Sequence, residues 1–334
     1  MKKNRFNKKC FVACLTALNT ACLSCFTYDV KNENISQKLS GEFDKKYLRA
    51  GIPLLGVAGI AYLLLSSNRN KVELNIKGNG DKTVVIVHAF GCVSVDEQKQ
   101  IYNTNYSEDY DLLTNMLVKK GFRTVVINRL GYGESDDVKS PRTNENIVKE
   151  MSAALKEHNI NPPYILMGHS MGNLFCLKWI ASHASDISAY IGLDGMSPYY
   201  YYRPTMKKCP DLPDPKTSCP ALMELRNKKL ISNGMYQESL YQNQNMYDLH
   251  DFKFPNQMPV TMFLSKQLQS RFNEIAEDWK NSDQLVEANE KLFSDNNNQK
   301  VKCLDDGDHF LYRSKKHTET IVNEIERISS KQSV

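Results

Sequence analysis

Residues 163–172 read Pro163-Tyr164-Ile165-Leu166-Met167-Gly168-His169-Ser170-Met171-Gly172, and the reading of this stretch decides the fold. Its first half is short, apolar and partly β-branched or aromatic, the composition of a buried strand. The next residues, Asn173 to Ala181, carry Leu174, Phe175, Leu177, Trp179 and Ile180 and read as a helix with mixed apolar faces. A serine on such a strand-to-helix turn is held in a strained backbone conformation with its hydroxyl exposed. Gly168 and Gly172 remove the side chains that would clash there. Gly168 to Gly172 therefore fit a G-x-S-x-G elbow, and its place between a strand and a helix gives that short match its weight.

Working outward, Thr83–Val87 and Thr124–Ile127 are continuous β-branched runs, as parallel strands covered on both faces require. Between them Tyr110 to Lys120 is amphipathic and stops at Gly121, and Glu145 to His158 reads as another helix. Ala189–Leu193, Pro259–Leu264 and Lys300–Leu304 supply further strands, and Thr318 to Ser329 a closing helix. From about Val72 this alternation predicts an α/β fold: a mainly parallel twisted sheet, helices on both faces and right-handed crossovers. An insertion over about residues 196–258, opening with Tyr199-Tyr200-Tyr201-Tyr202, interrupts the pattern. It is expected as a cap over the carboxyl edge of the sheet, where open α/β sheets take ligands. The expected organisation is a signal or membrane-anchor region at 1–70 and one α/β domain at 71–334.

Two apolar segments carry the N-terminal expectation. Residues 1–27 begin with Lys2, Lys3, Arg5, Lys8 and Lys9 and continue into the small and apolar run from Cys10 to Tyr28, a signal sequence or first membrane segment. Gly51 to Ser66 is uncharged and near the minimum length for spanning. It precedes the alternating region, where no core would cover it, so it reads as a membrane anchor. Lys45, Lys46 and Arg49 on one flank balance Arg69 and Lys71 on the other, which leaves its orientation open.

Charge and cysteines narrow the classes further. Lys and Arg total 43 against 38 Asp and Glu, with no basic stripe interleaved with aromatics, so nucleic acid is not an expected partner. Cys92, Cys176 and Cys303 are placed in or beside core elements, where a thiol behaves as a small hydrophobe. Cys209 and Cys219 bracket a Pro-rich loop and would pair in an oxidising compartment. Cys22-x-x-Cys25 has no partner pair, so neither a metal nor another cofactor is expected.

A serine hydroxyl needs a base within hydrogen-bond reach and a group that orients the base, in the chain order serine, acid, histidine for this architecture. His309 is the base candidate, on the polar loop Leu304-Asp305-Asp306-Gly307-Asp308-His309-Phe310 between the last strand and the last helix. His88 and His169 abut the site on the wrong elements for a base and suit packing or support of the loop after the 83–87 strand. Asp194, in Leu193-Asp194-Gly195, closes the strand after the elbow helix and is the preferred acid. The other position for an acid, after the next strand, reads Ser265-Lys266-Gln267-Leu268-Gln269 without a carboxylate. Glu274, Glu277 and Asp278 come later, on a helix, and remain the alternatives. An oxyanion would be met by the backbone N–H of Met171, at a helix N-terminus, and by that of Phe90 in His88-Ala89-Phe90-Gly91.

The elbow at Ser170, the His88-Ala89-Phe90-Gly91 loop, the run Asn128-Arg129-Leu130-Gly131-Tyr132-Gly133-Glu134-Ser135 and the His309 loop together resemble the α/β-hydrolase superfamily over about residues 72–330. The resemblance implies a Ser-His-acid hydrolase with a cap insertion. Ala89 departs from the glycine usual in that family's oxyanion loop. Asp194 matches the acid position that a minority of its families use. A serine at the elbow argues against the epoxide-hydrolase and dehalogenase branches, which use aspartate there.

The expected function is a membrane-tethered serine hydrolase of the esterase or lipase kind, acting on a small-molecule or lipid-like acyl ester. Thioesters, amides and peptides share the chemistry, because a triad does not encode the leaving group. Two other classes compete with it: a catalytically silent scaffold of the same fold used for binding, and a membrane-anchored protein whose Tyr-rich insertion docks a partner.

Overall fold

The computed structural model describes residues 70–91, 106–201, 211–212, 220–266, 282–294 and 297–330, all within the unit Asn70–Val334. Seven strands form one sheet: β1 (Glu73–Lys77), β2 (Thr83–Val87), β3 (Arg123–Asn128), β4 (Tyr164–His169), β5 (Ile187–Leu193), β6 (Val260–Ser265) and β7 (Gln299–Leu304). Their spatial order is β1-β3-β2-β4-β5-β6-β7, with β1 antiparallel to β3 and every other pair parallel. Main-chain pairing in β2 places Val85 level with both Val125 and Leu166, so β2 lies between β3 and β4.

The β-branched runs set this arrangement. Successive side chains on a strand point to opposite faces, so a run that is apolar throughout must be covered twice. Val84 and Ile86 enter one apolar cluster with Leu113, Leu117, Ile321 and Ile325, while Val85 and Val87 enter the other with Ile147, Met151, Leu174 and Phe175. The helices of the first layer are α2 (Asp111–Lys119), which follows the short α1 (Tyr106–Asp109), and the closing α9 (Lys315–Ser330). Those of the second are α3 (Asn144–Glu157) and α4 (Gly172–Ser182). Nearly every residue of α4 from Gly172 to Ile180 is buried, which explains its apolar faces all round.

The route of the chain fixes where a site can form. From β3 it crosses to β4 on the far side of β2, so the strand order reverses between β2 and β4. Ligands of open α/β sheets bind at the carboxyl ends of strands flanking such a reversal. The loop after β2 and the turn after β4 are the segments at that point. At the other edge α9 is pinned by Glu324, which accepts from Thr261 Oγ1 at 2.8 Å and pairs with Lys300 and Lys302 at 2.9 and 2.8 Å. That anchor holds both ends of the loop carrying His309.

The insertion is described at 196–201, 211–212 and 220–258, with α5 (Pro198–Tyr201), α6 (Pro220–Asn227) and α7 (Asn233–Tyr247). Ser232 caps α7 by accepting from the Met235 amide at 3.0 Å. Met246, Leu249, Phe252, Phe254 and Met258 join the cluster packed on α3 and α4, so this end of the insertion is core. A further helix, α8 (Ser282–Glu290), precedes β7.

Cys303 is exposed on the edge strand β7 and is not a core thiol, whereas Cys176 is buried in α4. Both apolar N-terminal segments, Cys92, Cys209 and Cys219 lie outside the described residues. Among the described residues no helix is long and apolar enough to cross a membrane.

Candidate active site

Strand β4 ends at His169 and α4 begins at Gly172, leaving Ser170 and Met171 to make the turn. Ser170 adopts φ +51°, the left-handed region that costs a non-glycine residue roughly 1–2 kcal/mol. Surrounding contacts hold it there. Its N–H donates to Leu193 O at 3.0 Å, and its carbonyl accepts from the amides of Asn173 at 3.1 Å and Met196 at 2.9 Å. A Cβ on Gly168 would come within 2.6 Å of Tyr190 Oη, and one on Gly172 within 2.3 Å of Val87 O. Both glycines are thus required by close approach. Ser170 itself remains partly exposed.

Asp194 follows β5 with φ +41° and is buried. His309 Nδ1 lies 3.1 Å from Asp194 Oδ2. The same carboxylate accepts from the Ser265 amide through Oδ1 at 2.6 Å and from Ser265 Oγ through Oδ2. Ser265 ends β6, where the commoner acid of this architecture would stand. Here the position holds a double donor to Asp194 instead. Glu274, Glu277 and Asp278 lie outside the described residues.

His309 is fixed by its neighbours as well as by its ring. His169 Nε2 is 2.8 Å from His309 O, Tyr110 Oη is 3.0 Å from His169 Nδ1, and the two imidazoles lie 4.8 Å apart between centroids. Burial, and then the charge His309 can carry, push the His169 pKa well below its usual value, so its ring is neutral. A carbonyl needs a donor, so Nε2 carries the proton and Tyr110 donates to Nδ1. Tyr110 stacks on Tyr312 at 4.0 Å, and Tyr312 Oη and Arg313 Nε bond Asp109 at 2.6 and 2.7 Å. The turn after His309 is thereby clamped to the junction of α1 and α2.

The loop after β2 presents its carbonyls to one buried cation. Arg129, one residue beyond β3, donates from Nη1 to His88 O at 2.7 Å and from Nη2 to Ala89 O at 3.2 Å. Tyr106 Oη donates to Phe90 O at 3.0 Å. Among the described residues no acceptor is paired with the amide of Phe90 or of Met171. His88 is buried against Tyr106, with ring centroids 4.1 Å apart, and burial followed by the Arg129 charge keeps it neutral. The packing role expected of His88 and His169 describes their surroundings, and each also bonds a loop carbonyl.

Sequence reading missed the partner of Arg129. Glu238 of α7 takes Nε at 2.9 Å and Nη2 at 2.8 Å in a bidentate pair, accepts from Tyr132 Oη at 2.7 Å and faces Arg142 at 3.5 Å. Burial alone would raise the Glu238 pKa, but the charges of Arg129 and Arg142 and the hydrogen bonds of Arg129 and Tyr132 bring it below the usual value. The available signal was Glu238 itself, the sole charged residue of Asn233–Tyr247.

The sheet order and the elbow between β4 and α4 define an α/β-hydrolase fold. A family model described as alpha/beta hydrolase fold matches residues 82–216. That match covers less than half of the chain, and what it shares with the sheet order is the α/β-hydrolase fold. The chain is 26% identical over 132 residues to the uncharacterized protein YbdG of Bacillus subtilis (strain 168), covering 39% of this chain and 37% of that one. The chain spans about a third of the length of the curated relatives it matches. Among solved structures it is similar to alpha/beta hydrolase domain-containing protein 10 from mouse, at 16% identity and TM-score 0.52, covering 80% of this chain and 97% of that one. It is also similar to a thermophilic esterase from Thermogutta terrifontis, at 13% identity and TM-score 0.50, covering 78% and 94%. At these identities the likeness is one of fold.

Proposed function

We propose that this chain is a serine hydrolase that cleaves a carboxylic ester through an acyl-enzyme on Ser170. The observation that carries the reading is the left-handed serine at the strand-to-helix turn together with a buried carboxylate bonded to His309 Nδ1. In this reading His309 Nε2 takes the proton of Ser170 Oγ as the oxygen attacks the ester carbon. The carbonyl electrons move onto oxygen, and the amides of Met171 and Phe90 receive that oxyanion. Collapse breaks the bond to the alcohol oxygen, which takes the proton from His309. Water then repeats the sequence and releases the acid. Asp194 accepts the Nδ1 proton of His309 in a hydrogen bond and stabilises the imidazolium without taking the proton itself.

The esterase named among the similar structures has this fold, and its printed activity makes esters the first substrates to try. Short p-nitrophenyl esters and a fluorophosphonate probe test the reading. Hydrolysis and labelling should occur in the full chain and vanish in Ser170→Ala. Labelling that persists in that variant would remove Ser170 from the reaction.

The apolar runs at 10–28 and 51–66 support a second element of the proposal, that the enzyme is tethered to a membrane and meets a lipid-derived acyl substrate. The chain should then remain in the membrane pellet after alkaline carbonate extraction. Release of the intact chain to the supernatant would defeat the tether and leave the ester chemistry standing.

A further inference from the structure

The carbonyls of three successive residues, His88, Ala89 and Phe90, each have a fixed donor. Those peptides are trans, so each carbonyl points opposite to the N–H of the next residue. Holding Ala89 C=O toward Arg129 turns the Phe90 N–H away from the guanidinium. His88 Nδ1 lies 2.6 Å from the same carbonyl and 3.1 Å from Arg129 Nη1, while its Nε2 faces the Arg129 amide at 3.4 Å. Ala89 stands where the superfamily usually has glycine, and the guanidinium compensates by fixing the loop from behind.

Arg129 is itself immobilised. The bidentate Glu238 pair occupies Nε and Nη2, and the rings of Tyr132 and Phe175 lie 4.8 and 4.9 Å from its central carbon. β2 and β3 run parallel with Val87 beside Ile127, which puts Arg129 next to the loop leaving β2. Burying such a pair is expensive, and apolar residues of similar volume would serve packing as well or better. An apolar replacement could not hold two carbonyls.

We infer that Arg129 is a positioning residue: seated on Glu238 of the insertion helix α7, it sets the direction of the Phe90 N–H that meets the oxyanion. The inference rests on the proposed acyl transfer at Ser170. It also makes α7 part of the catalytic apparatus, because the counter-charge comes from the insertion.

The test uses the full chain with two variants. Arg129→Met combined with Glu238→Gln removes both charges together and strands neither. Arg129→Lys keeps the ion pair, but the three N–H of one ammonium cannot replace the four bonds that the guanidinium fork makes to Glu238 and the two carbonyls. The double variant should lose about 100-fold in kcat and Arg129→Lys about 10-fold, with KM within about threefold, because an oxyanion donor acts in the transition state. A boronic acid that forms a tetrahedral adduct on Ser170 should weaken in parallel with kcat. If the double variant fails to fold by circular dichroism, Arg129→Lys decides alone. A folded variant with wild-type kcat, or with its loss confined to KM, overturns the role of Arg129. Wild-type chain that neither hydrolyses esters nor labels would overturn the reading of Ser170 instead.

Discussion

Asp194 and Glu238 are both buried carboxylates, and they meet opposite company. Asp194 has a hydroxyl, an amide and an imidazole; Glu238 has two guanidinium groups and a phenol. A carboxylate paired permanently with cations has its charge neutralised in the resting state, so it serves structure. One facing an imidazole keeps its field for a proton that the ring takes up in the proposed reaction. The difference between the two assigns their roles more clearly than burial does. It also gives Ser265 a role at the end of β6, since its amide and hydroxyl orient the Asp194 carboxylate without a competing cation.

The contrast breaks first at Asp194. Asp194→Asn should lower kcat about 10⁴-fold while the fold survives, because the wrong histidine tautomer is then favoured. Steady-state ester hydrolysis beside a melting curve reads this, and an active Asp194→Asn enzyme would return the acid to Glu274, Glu277 or Asp278. Glu238→Ala should behave in the opposite sense, through stability. It strands Arg129 and leaves Arg142 with Glu150 alone, costing about 3–5 kcal/mol in chemical denaturation. A loss under about 1 kcal/mol would show that the pair does not hold α7.

A smaller effect sharpens the account of Ser265. Ser265→Ala removes a hydrogen bond to a charged group, worth about 1.5–3 kcal/mol, and should slow kcat roughly tenfold with KM unchanged. Unchanged kcat would make Ser265 a packing residue only.

A separate effect is in pH. His88 and His169 have folded pKa values below the unfolded value near 6.5, so the unfolded chain binds the additional protons. Their neutral-state stability is therefore complete above pH 6.5 and falls as pH drops below it. The slope is about 1.4 kcal/mol per pH unit for each histidine. Denaturation at stepped pH values from 8 to 5 should show this, and His169→Gln should remove one histidine's share.

What could be read in the sequence was local. β2, β3 and the elbow strand are uniformly apolar, so their burial follows from composition, and the elbow follows from two glycines flanking a serine. Asp194 was legible because it directly closes a recognisable strand. β1 was not singled out, since Glu73-Leu74-Asn75-Ile76-Lys77 is polar at alternate positions and pairs on one side only. Cys303 was misread for a related reason: an edge strand leaves alternate side chains uncovered. The Arg129–Glu238 pair joins residues 109 apart in sequence, and no periodicity announces such a contact. The support of His309 by His169 is equally non-local, across 140 residues.

The central claim is that Ser170 is a nucleophile activated by His309. Fluorophosphonate treatment of the full chain, followed by peptide mass spectrometry, tests it most directly. The account predicts one adduct on the peptide containing Ser170, absent in Ser170→Ala and strongly slowed in His309→Ala. An unmodified Ser170, or an adduct formed at the same rate without His309, would contradict it.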